Sequence, residues 1–582
     1  MERDRRKASL SEFGRSYQFA GNKFWLSIPG PVLEQASGKV DFTERTLTIP
    51  RITAQLLGGP VTISAHTAAD GLVRVSAAGR FSAAGLQQAY PGALAQRLKG
   101  AAAWSASMAV RKQAANVVLA STLNGLASEL PYPLTKSAQE SLPLKFERRF
   151  IDAGHDALTL SLGKMLSAQL SRTLADGKST IEKGQIRLGA ILAAAPTQPG
   201  VWVEGELEQF DADLWRSLMP ASGEPAFLPL AGVRVKVKAL DFLGRRFNHF
   251  NLNALTQRDA WQAAVESDEM QGELHWRESD GGSLVARFKH LVYPDAAPPR
   301  GVPPAGGRDL NLPALDIAID NFQLKQARLG KLELLAHKQG NDWRIERLRI
   351  TNPEGAFNAD GLWQSWLAQP QTKLNINIEV NDVGKFLARM GYPDRIKGGT
   401  SKLTGSLDWR GSPQDFNLAS LSGDMKLEAH RGQFMKLDPG VGKLLGLLSL
   451  QSLPRRLTLD FRDVFSQGFA FDNILGVLNV AQGVMSTHDF VMQGPSAVVS
   501  MTGTTDLAKE TQNLQVKVVP VVGDSVSLLA FLGGPAVGIG TFILQKLLKD
   551  PLGKMVAYDY AVTGTWDNPT AMKLSKQQAF SE

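Results

Sequence analysis

The 582-residue chain contains no cysteine, which excludes disulfides, thiolate nucleophiles and cysteine-ligated zinc. That absence suits the periplasm, where a stray thiol is a liability. Histidine is scarce, and none of the eight has a second His at the three-to-five-residue spacing that puts two imidazoles on one metal. The glycine-rich loops of phosphate and dinucleotide sites are incomplete. Gly177-Lys178-Ser179-Thr180 has Arg172 where the first loop glycine is required, and Gly538-Ile539-Gly540 lacks a third glycine. No Gly-x-Ser-x-Gly elbow occurs, since Gly523-Asp524-Ser525-Val526-Ser527 lacks its second glycine. Asp460 and Asp463 are an acid/base pair in name only, because Asp460 falls on the polar side of an alternating strand. The reading is of a non-enzymatic protein with no cofactor and no metal. Nor does the basic start, MERDRRKASLSEFGRSYQFAGNKFW, lead into an apolar run, so neither a signal peptide nor an anchor is expected there.

Charge is short on both sides. Only 21% of residues are charged and 43% are hydrophobic, a globular balance, and the length suggests three or four units or one repetitive body. The 64 Lys and Arg exceed the 56 Asp and Glu to give +8, which favours anionic partners such as phospholipid headgroups. The basic clusters at Arg3, Arg5, Arg6 and Lys7, at Arg245 and Arg246, and at Arg455 and Arg456 are short. None forms the basic, aromatic-laced stripe that nucleic acid requires.

What the chain has in quantity is period-two alternation, the mark of a strand with one apolar face. Val233, Val235 and Val237 alternate with Arg234, Lys236 and Lys238. Leu315, Ile317 and Ile319 alternate with Asp316, Ala318 and Asp320. The same holds for Leu374, Ile376, Ile378 and Val380, for Leu457, Leu459 and Phe461, and for Leu514, Val516 and Val518. Turn residues separate these runs, and a Gly-x-Trp or Gly-x-Leu-x-Trp pattern recurs at Gly361 to Trp363, Gly405 to Trp409 and Gly564 to Trp566. Helical patterns are few and short, the best at 211–219, with Leu214, Trp215 and Leu218, and at 382–390, with Val383, Phe386, Leu387 and Met390. The expected fold is therefore mainly β, antiparallel-rich, with a few short helices. A Pro/Gly-dense stretch at 296–309 cannot sit inside a sheet and divides the chain into 1–295 and 310–582. The longest apolar run, 525–549, is interrupted by Gly533-Gly534-Pro535, which predicts a helical hairpin rather than a single span. Its Phe531, Phe542, Ile543 and Leu544 with Lys546 and Lys549 are the candidate membrane-contact residues.

Several strings resemble the YhdP family, AsmA-like envelope proteins related in architecture to TamB. They are STLNGLASELPYPLTK at 121–136, DWRIE at 342–346, GYP at 391–393, LPRRLTLDFRDVF at 453–465, GFAFD at 468–472 and Gly494-Pro495. The resemblance covers most of the chain and casts 1–295 as the family's central type of region and 310–582 as its AsmA-like C-terminal region. It implies an elongated, curled β-sheet in the periplasm whose apolar groove carries phospholipid between the inner and outer membranes of a Gram-negative bacterium. Phospholipid, a membrane surface and other envelope proteins are then the expected partners. Family members begin with an inner-membrane helix, so the chain looks like a C-terminal half. The lining expected for the groove is Val233, Val235, Val237, Leu315, Ile317, Ile319, Leu374, Ile376, Ile378, Val380, Leu457, Leu459, Phe461, Phe469 and Phe471. The competing reading is a structural or scaffolding envelope protein with closed β-sandwich cores, in which the same apolar faces bury one another.

Overall fold

The computed structural model describes residues 14–25, 31–111, 114–175, 178–189, 193–218, 228–258, 260–278, 281–293, 312–413, 416–435, 468–520 and 557–574. The fold is mainly β, with 31 strands and a few short helices among these residues. Two compact units divide between Glu269 and Met270.

The first unit opens with β1 (Arg15–Trp25), β2 (Val32–Phe42), β3 (Leu47–Leu56), β4 (Gly59–Thr67) and β5 (Val73–Ser82). Helices α1 (Ala83–Ala89) and α2 (Ala93–Gln96) then lead to β6 (Leu98–Arg111), β7 (Ala114–Ser121) and the short β8 (Leu126–Ser128). The Ser82 hydroxyl caps α1 by accepting from the Gly85 amide. After these come β9 (Leu144–Asp152), β10 (His155–Leu162), β11 (Leu166–Ala175), β12 (Lys178–Leu188) and β13 (Gly200–Asp211). Helix α3 (Ala212–Leu218) precedes β14 (Leu230–Phe242), β15 (Arg245–Gln257) and β16 (Ala260–Glu266). Apart from β8, which pairs with the start of β6, each strand pairs with the next in sequence. The ladders are antiparallel except β12 with β13 and β13 with β14.

Parallel neighbours need a crossover, and the side on which it runs decides which face of the sheet it covers. In the segment joining β12 to β13, the Ala193 amide donates to Ser167 Oγ at 2.7 Å. The Ala193 carbonyl accepts from Gln169 at 3.0 Å, and the Ala194 amide donates to Gln185 at 2.8 Å. Ser167 and Gln169 point away from Leu166, Ala168 and Leu170, so this crossover lies on the polar side of the sheet.

The second unit contains β17 (Met270–Arg277), β18 (Ser283–Tyr293), β19 (Ala314–Leu324), β20 (Ala327–Gln339), β21 (Asp342–Asn352), β22 (Gly355–Gln364) and β23 (Gln371–Val380). Helix α4 (Val383–Arg389), capped by the Asp382 carboxylate, leads to β24 (Ile396–Arg410) and β25 (Ser422–Phe434). The last six are β26 (Phe469–Ala481), β27 (Val484–Gln493), β28 (Ala497–Asp506), β29 (Thr511–Pro520), β30 (Tyr558–Thr565) and β31 (Pro569–Lys573). Successive strands again pair in order, with β18 and β19 parallel. That parallel ladder ties the β17–β18 hairpin to the second unit, so the division between units falls upstream of the Pro/Gly-rich 296–309, which lies outside the described residues.

The helical expectations at 211–219 and 382–390 are met by α3 and α4, and the hairpin expected at 525–549 lies outside the described residues. Helix α1 has no counterpart in the sequence reading, because AAGLQQA offers a single large apolar residue and no periodic stripe to read.

Candidate functional site: an apolar sheet face

Residues directly opposite one another on paired strands share a face of the sheet, so the register can be followed sideways from strand to strand. In the first unit one such row runs Phe19, Gly38, Ile52, Ile63, Ala77, Ala106 and Leu119 from β1 to β7. It continues Phe146, Leu160, Ala168, Ile186, Val203, Val233, Ala254 and Ala263 from β9 to β16. Every strand of the unit except β8 contributes, and no member is polar. Val235 belongs to the neighbouring row, between Gly205 and Leu252, and Val237 lies between Leu207 and Phe250 in the next.

The second unit repeats the arrangement. Ile317 and Ile376 share the row Leu274, Ala286, Ile317, Leu334, Leu348, Ala359, Ile376, Gly405 and Met425. Ile319 and Ile378 share the row through Leu332, Ile350 and Phe357, which continues to Leu403 and Leu427. Leu315 and Leu374 share the row through Ala336, Ile345 and Gly361, which continues to Leu407. Six residues singled out from alternation alone thus stand in three parallel files on one face. Val380 follows Ile378 on the same side, opposite Gly355 and Ser401.

The recurrent Gly-x-Trp pattern acquires a meaning here. Gly361 and Gly405 occupy positions within the files, and a methyl at either would lie 2.0 Å from the neighbouring strand's carbonyl, of Lys373 and Asp424 respectively. The paired backbones approach so closely at these points that only glycine leaves room for them. Trp363 and Trp409 follow two and four residues on, on the same side. Trp363 meets Trp343 edge-on at 6.3 Å in a cluster with Ala336 and Ile345.

Val233 and Val235 in the first unit, and Leu315, Ile317, Leu374 and Ile378 in the second, are half-buried, whereas Val237, Ile319, Ile376 and Val380 are buried, at 4%, 3%, 8% and 5% exposed. At the β1 end of the first unit the apolar face forms a concavity of about 370 Å³ lined wholly by apolar side chains, among them Tyr17, Phe19, Phe24, Val40, Ile52 and Ile63. The opposite face carries the charge. Glu204 pairs with Arg187 at 3.0 Å and Arg234 at 3.4 Å, Lys236 with Glu206 at 3.4 Å, and Lys238 with Glu208 at 2.9 Å. The Glu208 partner holds the Lys238 ammonium above its usual range. In the second unit Lys402 and Glu379 pair at 2.9 Å, which raises the one and lowers the other.

Phe469 and Phe471 lie elsewhere in character. Both are 3% exposed and sit in a sealed cluster with Phe434, Ile474, Phe490, Met492, Val499 and Met501. Leu457, Leu459 and Phe461, and Phe531, Phe542, Ile543, Leu544, Lys546 and Lys549, lie outside the described residues. Among the described residues no helix is long and apolar enough to cross a membrane, and no group of three metal-binding side chains converges. The sequence reading missed the apolar rows of β1 to β7, because Ser and Ala fill both sides of those strands, as in SAAGRFS and AAAWSASMAV, and blur the alternation.

A family model described as YhdP protein matches residues 14–571. The chain belongs to the YhdP family. A curated relative, "Intermembrane phospholipid transporter YhdP" of Escherichia coli (strain K12), is 24% identical over 589 residues. The alignment takes in 96% of this YhdP-family chain and 45% of that protein, so the chain spans less than half the length of the relative. No solved structure matches. The family resemblance and the mainly β fold are thereby established.

Proposed function

We propose that this chain conducts phospholipid along its apolar sheet faces, as part of lipid passage between the inner and outer membranes of a Gram-negative envelope, without catalysing a reaction. The observation that carries the reading is the set of apolar files on one face, with half-buried members such as Val233, Ile317 and Ile378, opposite a face laced with ion pairs. An acyl chain laid on such files removes apolar surface from water on both partners, at about 25 cal/mol per Å². A headgroup stays in water as the chains slide, so no step needs a bond made or broken. The printed name of the E. coli relative, a phospholipid transporter, agrees with this. A periplasmic, membrane-associated location follows from the same reading, and the apolar run 525–549 with Phe542, Ile543, Leu544, Lys546 and Lys549 supplies the membrane contact.

The scaffolding alternative has an observation of its own, the sealed cluster running from Trp409 to Ala571, which is built as a closed core. We assign that region to holding the structure rather than to carrying lipid.

The test is mass spectrometry of lipid that stays with the purified protein, in the parent and in Ile376→Asp. Ile376 stands in its file between Ala359 and Gly405, 8% exposed, and an unpaired charge there costs several kcal/mol. The parent is expected to retain phospholipid and the folded variant to lose most of it. Equal loads in both would remove the conduit reading.

A further inference from the structure

One charged cluster interrupts the apolar face of the first unit. The row next to the one containing Phe146 and Leu160 runs Ala65, Val75, Met108 and Val117, then meets Arg148, then resumes with Leu158, Leu170, Gly184 and Val201. Arg148 is the one polar member of that file. Asp156 lies two residues from Leu158 on β10 and opposite Arg172 on β11, so all three charges share the apolar side.

Their geometry is tight. Asp156 is fully buried, accepts from Arg148 Nε at 2.6 Å, and accepts from Arg172 Nε and Nη2 at 2.9 and 2.7 Å. Burial pushes the Asp156 carboxyl up, but the two guanidiniums outweigh it and hold the group below the usual carboxylate range. Two cations on one anion leave a net positive charge. Arg148 engages the carboxylate through Nε, which leaves its two terminal nitrogens directed elsewhere, and its side chain is 35% exposed. A fixed guanidinium with free donors is suited to a phosphate oxygen pair.

We propose that Arg148, held in place by Asp156 and Arg172, binds the phosphate of a phospholipid whose acyl chains lie on Leu158 and Leu170 of the same file and on the adjoining Leu160 file. This rests on the conduit reading and deepens it, since it gives lipid a preferred stop on an otherwise featureless slide. The anion is a lipid headgroup rather than free phosphate, because the donors open from within a file of apolar side chains. Arg172, bound bidentately to the carboxylate, is a positioning residue.

The experiment uses the full chain loaded from vesicles holding equal amounts of phosphatidylglycerol and a diacylglycerol of the same acyl composition, with the bound lipids counted by mass spectrometry. The parent is expected to prefer the phospholipid roughly tenfold, the discrimination expected of a charge-assisted hydrogen bond. Arg148→Gln, which leaves the Asp156–Arg172 pair in place, is expected to bring the ratio near one while diacylglycerol binding persists. Arg148→Lys is expected to restore part of the preference. An unchanged ratio in Arg148→Gln overturns the headgroup site and leaves the conduit standing. A parent that takes up neither lipid overturns both. Displacement of phospholipid by millimolar inorganic phosphate would reassign the site to the free anion and overturn the lipid assignment.

Discussion

Strands β10 and β26 both alternate in sequence, yet their apolar residues meet different fates. On β10, Leu158, Leu160 and Leu162 are half-buried, and so are the residues between them. On β26, Ile474, Leu478 and Val480 are 3%, 6% and 4% exposed, with exposed neighbours at Val477, Asn479 and Ala481. Beyond β26 the sealing deepens, with Phe490 at 1%, Met492 and Val499 at 0% and Val518 at 1%. One pattern therefore builds two devices, an open face and a closed core. The difference is whether other side chains of the protein cover the face, which the period of a single strand does not encode.

The largest effect that would break this contrast is a matched pair of truncations. Phe490→Ala removes a ring from a sealed site and is expected to cost about 3–5 kcal/mol in a urea titration of the second unit. Leu160→Ala removes a half-buried side chain from the open file and is expected to cost about 1–2 kcal/mol in the first. Equal costs would mean that the file around Leu160 is a core like the other, and the conduit reading would lose its geometry.

This contrast also explains what was legible in the sequence. Leu315, Ile317 and Ile319 and their counterparts on β23 were readable as one-faced strands because large aliphatics alternate there with Asp, Asn and Glu. Their alignment into three shared files was not readable, because register depends on hairpin lengths and on bulges such as the shift between Ile345 and Leu348. Phe469 and Phe471 read as groove lining on the same rule as the half-buried Ile317, and no local signal separates a covered face from an uncovered one. Arg148, Asp156 and Arg172 carry no shared signal in the sequence, since they are eight and sixteen residues apart and only pairing brings them together.

A second contrast concerns acid. The sealed cluster of the second unit consists of apolar side chains, whereas the first unit buries the Asp156 carboxylate on its open face. Because the folded pKa of Asp156 is depressed, its stabilisation is full above the unfolded value of about 3.9 and is lost as pH falls through the lower folded value. Limited proteolysis across that range is expected to expose β9 to β11 first. Asp156→Asn should flatten the pH dependence there while weakening the region at neutral pH. An acid response identical in parent and variant would show that other carboxylates govern it.

The smallest expected effect lies on the polar face, and its smallness is informative. Glu208 and Lys238 face each other across β13 and β14 at 2.9 Å, and both side chains are 68% exposed. Water screens such a pair, and ordering two long side chains offsets the Coulomb gain, so Glu208 and Lys238 add little to stability. The charges do keep the two faces distinct, because a strand slipped by one residue would turn Lys236 and Lys238 onto the apolar side and Val235 and Val237 into water. Lys238→Ala and Glu208→Ala, alone and together, are therefore expected to leave the urea midpoint within experimental scatter and to show no coupling in a double-mutant cycle. Val235→Lys, which destroys the distinction between faces without touching the Glu208–Lys238 pair, should lower the midpoint where those variants do not. A strong coupling between Glu208 and Lys238 would instead place the stability of this region on its charged side and reverse the roles assigned to the two faces.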